Sequence, residues 1–502
     1  MRSLDGSTAQ APGSLSDAAR IPELAQGGQA LAAIAHLSDT HVMDCQSPAR
    51  VEFLDRFLHP DVALASATGD DGRTYRPQEP LTTQVLDAMA QAIAVTATGP
   101  VSGRPLDLAI VTGDMTDSAQ ANELHWLAAI LDGGPVHPDS GDLGRFEGVG
   151  SLDWHDPAYW HPDGGRGDVA RDRHGFPLAP GLLDAARRPF AAAGLGLPWL
   201  AVYGNHDGLV QGTLAVSEGT TMHATGTSKA WRPGPGAQAQ AARDLLDGII
   251  DERTMDLLAK AEVRAVTADA QRRHLARSEH VAWHLAHGGH GFTQRNADQG
   301  TAYYRHDLGA ITVLVLDTVV EHGGWQGSLD EGQLHWLSGE LAAADGEGRP
   351  VLIASHHTAA DLVNDLCPPG AGRRVLAGEL LALLTGHPCV IAWLNGHTHT
   401  TRVRSHGGAF WEITAPSLID WPQQGRIVEV LRTQQGYAIA TTMLDHVGPA
   451  SWSDAFASTA DLAALSRELA ANAWAAPPVD DLDRHPRSGQ AWDRNTLLLV
   501  PR

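Results

Sequence analysis

Six short apolar runs punctuate the chain, each of strand length and each broken off by a polar cluster. They are LAAIAHLSDTH (31–41), LDLAIVTGD (106–114), PWLAVYGNHD (198–207), ITVLVLDT (311–318), VLIASHHT (351–358) and CVIAWLNGHTH (389–399). Near-continuous apolar runs of this kind suit strands buried on both faces, in sheets covered by helices. Between them apolar residues recur at helical spacing over 82–96 (Leu86, Met89, Ile93), 119–131 (Leu124, Leu127, Ile130, Leu131), 329–343 (Leu334, Leu337, Leu341) and 374–385. Strand and helix alternate, which predicts an α/β sandwich.

Two regions break this rhythm. Residues 132–176 are rich in Gly, Asp, Pro, His and Trp without a steady period, and residues 209–296 hold a Ser/Thr stretch and then a helical stretch around 238–262. Loops of that length are uncommon in a compact domain unless they are functional or disordered. Both are read as insertions near the site, the first as a lid over it. After residue 448 come an Ala-rich helical segment (459–474) and a Pro/Asp-rich tail. The organisation expected is a loose leader (1–28), a core domain (29–448) carrying the two insertions, and a C-terminal extension (449–502).

Composition narrows the partners. The 502 residues carry a formal charge of −23, which opposes long-range attraction to nucleic acid or to anionic membranes. Lysine occurs only at Lys229 and Lys260, so an anionic substrate must meet arginine, histidine or bound metal. No apolar stretch is long enough for a membrane helix, and the leader lacks the apolar centre of a secretory signal. Cys45, Cys367 and Cys389 are scattered, giving neither a disulfide framework nor a C-x-x-C pair, and a reducing, cytoplasmic setting is expected.

Ligands in open α/β sheets bind at the carboxyl ends of the strands. Five of the six runs end there in metal-ligand residue types: Asp39 with His41, Asp114, Asn205 with His206 and Asp207, His356 with His357, and His397 with His399. Residues two apart at a strand end point the same way, so Asp39 and His41 can reach one ion and His397 and His399 can flank a pair. A carboxylate such as Asp114 can offer one oxygen to each of two ions.

The blocks Asp39-Thr40-His41, Gly113-Asp114-Met115-Thr116-Asp117, Gly204-Asn205-His206-Asp207, Ser355-His356-His357 and Gly396-His397-Thr398-His399 resemble, in order, those of the calcineurin-like metallophosphoesterase superfamily. The resemblance covers roughly residues 30–445 apart from the insertions. It implies a four-layer sandwich, two mixed β-sheets flanked by helices. It also implies one metal held by Asp39, His41, Asp114 and His399 and a second by Asp114, Asn205, His356 and His397. Such a pair of Fe, Mn, Zn or Co ions clamps phosphoryl oxygens and makes a bridging water nucleophilic.

His206 matches the family's non-ligand histidine, which serves the departing oxygen, with Asp207 placed to orient it. His356 is preferred to His357 as ligand because the first histidine of such a pair usually takes that role. His357 and Arg402 are then candidate substrate contacts. Asp117 stands where purple acid phosphatases carry a tyrosine, so a tyrosinate centre is not expected. Residues 112–123, 314–318 and 328–341 look like the branch of class III cyclic-nucleotide and glycerophospho-diesterases.

The expected activity is hydrolysis of a small phosphodiester. Phosphomonoesterase or nucleotide pyrophosphate hydrolase activity is the alternative, and a non-catalytic metal-bound scaffold the reading from another class. Cys45 and the aromatic group Trp154, His155, Tyr159, Trp160 and His161 are read chiefly as packing.

Overall fold

The computed structural model describes residues 28–58, 74–370, 372–473, 482 and 485–502, so the leader lies, but for residue 28, outside the described residues. Twelve strands form the two main sheets: β1 (Gln29–Leu37), β2 (Leu108–Val111), β3 (Trp199–Ala201), β4 (Tyr304–Leu308), β5 (Ile311–Val315), β6 (Val351–Ala354), β7 (Val390–Asn395), β8 (Arg402–His406), β9 (Phe410–Thr414), β10 (Gln424–Thr433), β11 (Gly436–Asp445) and β12 (Thr496–Pro501). One sheet runs β12-β11-β10-β1-β2-β3 and the other β4-β5-β6-β7-β9-β8. Both are mixed. In the first, β1, β2 and β3 are parallel while β10, β11 and β12 are antiparallel. In the second, β5, β6, β7 and β9 are parallel between antiparallel edges β4 and β8.

The longer helices are α1 (Thr82–Thr96), α2 (Ala121–Asp132), α3 (Ala239–Leu246), α4 (Glu252–Ala259), α5 (Arg277–Ala286), α6 (Glu331–Glu347), α7 (Ala377–Gly386) and α8 (Thr459–Ala471). Strand alternation sorts the second sheet into two faces. Val313, Leu352 and Leu394 join Ile34, Val111 and Leu200 of the first sheet in the central core. Leu314, Ile353 and Trp393 meet Leu337, Leu341, Leu380 and Leu384 of α6 and α7. Leu86, Met89 and Ile93 of α1 pack into the central core, and α1 touches α2 and α8. The four-layer α/β sandwich follows, as the periodicity and the resemblance imply. No helix among the described residues is long and apolar enough to cross a membrane.

The segment 132–176 packs on the residues that leave the first metal-type block. Ser140 Oγ donates to Asp44 Oδ1 at 2.7 Å, Gln46 Nε2 donates to Asp139 Oδ1 at 2.8 Å, and Phe146 clusters with Met43 and Cys45. Asp156 joins it to the second insertion by pairing with Arg232 at 2.6 Å. The C-terminal region supplies α8 and the edge strand β12 to the main body.

Burial also sets an acid response. It holds His36 and His280 down to about 3 and His274 to about 4, against an ordinary value of 6.5. Between those values these histidines bind protons in the unfolded chain and not in the folded one, so their own contribution to stability falls as pH drops from 6.5 toward 3. Each such histidine contributes a slope of about 1.4 kcal/mol per pH unit in that window. Denaturant unfolding of metal-free wild type and His280→Gln at pH 7 and pH 5 checks this, and the variant is expected to lose less stability on going to pH 5 than wild type does. An unchanged slope in that variant would contradict it.

Candidate metal centre

The block residues meet where the carboxyl ends of β1, β2, β3, β6 and β7 converge. Asp39 (φ 50°), His41 (41°), Asp114 (47°), His397 (68°) and His399 (53°) all adopt left-handed backbone. For residues other than glycine that conformation costs of order 1–3 kcal/mol each and tends to cluster at functional sites. Asp39 and His41 therefore converge through a left-handed turn past Leu37, the end of β1, and not through strand alternation as the spacing suggested.

The turns are laced together. Asp39 N donates to Gly113 O at 3.0 Å and His41 N to Asp114 O at 2.9 Å, while His206 N donates to Asp114 Oδ1 at 2.8 Å and His397 N to Asp39 Oδ2 at 2.9 Å. The glycines permit this approach. A Cβ on Gly113 would strike His356, one on Gly204 the backbone and carboxylate of Asp114, and one on Gly396 Ser38 and Asp39.

Hydrogen-bond partners decide which ring nitrogen of each histidine carries the proton. Carboxylates and carbonyls accept, so His41 Nδ1–H donates to Asp117 Oδ1 at 3.1 Å, His399 Nδ1–H to Asp420 Oδ2 at 2.8 Å and His356 Nδ1–H to Thr112 O at 2.8 Å. The opposite nitrogens turn inward. His41 Nε2 and His399 Nε2 face each other at 3.2 Å with Asp39 Oδ1 at 3.3 Å from the latter. His356 Nε2 faces Asp114 Oδ2 at 3.1 Å and His397 Nδ1 at 3.1 Å. Asp114 Oδ2 also lies 3.8 Å from His41 Nε2, between the two sets. Asn205 donates its amide N–H to Gly212 O at 3.0 Å, and its buried Oδ1 has no partner.

Nitrogens and carboxylates converging this closely are held together by protons or by a metal cation. The donor sets Asp39, His41, His399 and Asp39, Asp114, His356 each fall within 4.8 Å, so the residues present fit metal ions. Electrostatics point the same way. Burial disfavours charge on His356, yet the charge and hydrogen bond of Asp114 push it up to about 9, a proton answering the same field. The structure brings the blocks that carry the resemblance together at one place.

Nitrogen and oxygen donors backed by carboxylates are the usual setting of metal-ligating histidine. Asp117 gains a place from this, behind His41. Asp420 is a residue that sequence reasoning missed, since SLID (417–420) carries no motif. Burial works against its charge, but Arg487 and Arg76 hold it well below the usual carboxylate range.

The remaining candidates sort by their contacts. His206 donates Nδ1–H to the Asp117 carbonyl at 2.6 Å, and its side chain is 23% exposed. Asp207 does not orient it, which corrects the sequence reading. Its buried carboxylate accepts from Thr116 N at 2.9 Å, Thr116 Oγ1 at 3.0 Å and Gly204 N at 2.9 Å, tying two blocks together. His357 lies within reach of His356 and His397, but its Nε2–H donates to Trp325 O at 2.9 Å and its Nδ1 accepts from Thr318 Oγ1 at 2.7 Å. Buried with both nitrogens engaged, it has none left for a substrate, and that candidate role is corrected too.

Arg402 is exposed at the start of β8, with no ion pair among the described residues. Cys45 is buried, and burial pushes its thiol well up. Trp160 packs on Phe176, Tyr159 on Tyr75, and His161 bonds to the Gly150 and Asp156 carbonyls, so these aromatics serve packing.

No family model matches the chain. A manganese-dependent ADP-ribose/CDP-alcohol diphosphatase of Xenopus laevis is 26% identical over 105 residues, 20% of this chain. The match spans 28% of that relative's length. Among solved structures, a dimetal phosphatase from Danio rerio aligns over 84% of this chain and 98% of its own, with 12% identity and a TM-score of 0.39. A 5'-nucleotidase from Candida albicans aligns over 88% of this chain and 58% of its own, with 10% identity and a TM-score of 0.30.

Proposed function

We propose that the chain is a metal-dependent phosphoric ester hydrolase using two metal ions, with a small phosphodiester as preferred substrate. The observation that carries the reading is the convergence of ligand-type atoms: His41 Nε2, His399 Nε2 and Asp39 in one set, and His356 Nε2, His397 and Asp114 in another, with Asp114 Oδ2 also turned toward His41. Bound there, two ions supply Lewis acidity that draws in a phosphoryl group and makes water nucleophilic near neutral pH.

The protein's own groups do the rest. Asp39 and Asp114 alone would repel a phosphate, so they make substrate binding depend on the cations. His206 has spent Nδ1–H on Asp117 O, leaving Nε2 as the atom for substrate. Carrying a proton there, it delivers that proton to the departing oxygen. Arg402, three residues past His399 and exposed, supplies positive charge for the incoming anion. The three free thiols, two of them buried, support a reducing, cytoplasmic setting.

The diester preference rests on the class III likeness and on charge. A diester carries one negative charge and a monoester near neutral pH close to two, so a chain of net charge −23 repels the diester less. The test is kcat/KM for bis-nitrophenyl phosphate against nitrophenyl phosphate at equal metal loading, corrected for intrinsic reactivity. A corrected monoester preference would overturn the diester assignment.

One observation favours a second reading, cleavage of a nucleotide diphosphate linkage, the substrate type in the printed name of the Xenopus relative. Trp325 is 38% exposed and lies nearly parallel to the His397 ring, with centroids 5.7 Å apart. Its loop reaches the Asn205 and His206 side through Gly324 N donating to Thr213 O at 2.9 Å. An exposed indole there offers a stacking face for a base, worth about 1–3 kcal/mol or roughly 5- to 150-fold. Trp325→Ala is expected to cost that factor in kcat/KM for ADP-ribose, with Trp325→Phe recovering most of it and a glycerophosphodiester unaffected. Equal losses on both substrates would remove this reading.

A further inference from the structure

We infer that the C-terminal segment around Arg487 is a positioning element of the metal centre, which through Asp420 fixes His399 and so governs metal affinity at one of the two sites. The inference rests on the dinuclear reading above and concerns residues outside the five blocks.

Asp420 is buried at the meeting of three segments. Its Oδ2 accepts from His399 Nδ1 at 2.8 Å, from Arg487 Nη1 at 2.6 Å and from Arg76 Nη2 at 3.1 Å, and its Oδ1 accepts from Arg76 Nε at 2.9 Å. The two guanidinium groups grip the carboxylate from different stretches of chain and fix its plane. A carboxylate held this way keeps the His399 ring turned so that Nε2 faces the cluster.

The segment that carries Arg487 is docked on the loops leaving His399 and Asp420. Thr401 N donates to Arg487 O at 2.9 Å, Trp421 Nε1 to Ser488 Oγ at 2.9 Å and Val403 N to Asp493 Oδ1 at 2.9 Å. A Cβ on Gly489 would strike Thr401 O, so the turn sits tightly against that loop.

The same contacts close a ring behind one ligand set. Arg76 N donates to Glu79 Oε2 at 3.2 Å, Arg50 Nη2 to the same oxygen at 2.9 Å, Arg50 Nη1 to Asp117 Oδ2 at 2.5 Å, and Asp117 accepts from His41. His41 and His399 are thus backed from both ends by buried charged groups. His356, in the other set, leans on the neutral carbonyl of Thr112. Loosening Asp420 therefore acts on the Asp39, His41, His399 set and spares the other.

The test is titration of metal-free full-length protein with Mn²⁺ alone, comparing wild type with Arg487→Ala, Arg487→Lys and Asp420→Asn, alongside thermal unfolding of each metal-free variant. Wild type is expected to bind two Mn²⁺. Arg487→Ala and Asp420→Asn should weaken one of them by about 10–100-fold, the usual cost of losing a group that orients a metal ligand. The other Mn²⁺ should bind as before and Arg487→Lys should recover most of the loss, while metal-free unfolding reports separately the stability that the buried Arg76, Asp420 and Arg487 contacts contribute. Two Mn²⁺ at wild-type affinity in both Arg487→Ala and Asp420→Asn would overturn the inference alone. Equal weakening of both ions, unrelieved by Arg487→Lys, would overturn it as well. Fewer than two Mn²⁺ in the wild type would bring down the dinuclear reading and this inference with it.

Discussion

Changing Asp114 to Ala is expected to empty both metal positions at once, taking reconstituted protein from about two ions per chain to none that survives gel filtration. Its Oδ2 lies 3.1 Å from His356 Nε2 and 3.8 Å from His41 Nε2, so one oxygen faces both ligand sets. Its Oδ1 accepts from His206 N at 2.8 Å, so the substitution also releases the turn that carries Asn205. Hydrolysis should fall with the metal, by at least about 10³-fold if the ions supply several kcal/mol to the transition state. His41→Ala removes a donor from one set only and should weaken chiefly one ion. Elemental analysis of both variants decides, and a tight ion retained by Asp114→Ala would show that the carboxylate does not join the sites.

Replacing His206 by Ala should behave in the opposite way, keeping the metals and losing about 10²–10⁴-fold in turnover, the range of a lost acid–base group. The imidazole contributes its Nδ1–H to Asp117 O, and its removal leaves Asp39, His41, His356 and His399 with their own partners. The loss should be large for alkoxide leaving groups, which need a proton, and small for nitrophenolate, which does not. Equal losses across the two kinds would replace acid catalysis with positioning. Asp207→Asn is a useful companion. Its carboxylate ties Thr116 to Gly204 and does not touch His206, so its substitution should show first as lost thermal stability.

The parts of this molecule that the sequence makes legible are those where chemistry and periodicity coincide. β5, β6 and β7 are near-continuous apolar runs because both of their faces are covered, and α1 was marked by the helical spacing of Leu86, Met89 and Ile93. β10 was not, although it is buried along most of its length. Arg426 and Glu429 interrupt its apolar pattern, and Glu429 is buried only because Val101 N, Ser102 N and Ser102 Oγ donate to it. β8 was hidden for the opposite reason, being an exposed edge.

At the site, the metal-type residues stand in short blocks with fixed spacing, so they could be found one block at a time. Asp420, Arg76 and Arg487 have no such spacing and come together only when three distant segments fold onto His399. Asp207 was misjudged because adjacency in sequence to His206 does not decide where a side chain at a tight turn points. The left-handed backbone of Asp39, His41 and Asp114 gave no sequence signal either, since Asp and His adopt that conformation only occasionally and nothing in the spacing marks where they do.

The proposed hydrolase requires two cations among these side chains, carrying the chemistry. The most direct measurement is metal content and hydrolysis of bis-nitrophenyl phosphate on one preparation, first reconstituted, then stripped with chelator, then reloaded. The expected result is about two transition-metal ions per chain in the active protein, activity lost on stripping, and activity regained as the second ion returns. One ion or none in fully active protein, or hydrolysis indifferent to the chelator, would contradict it.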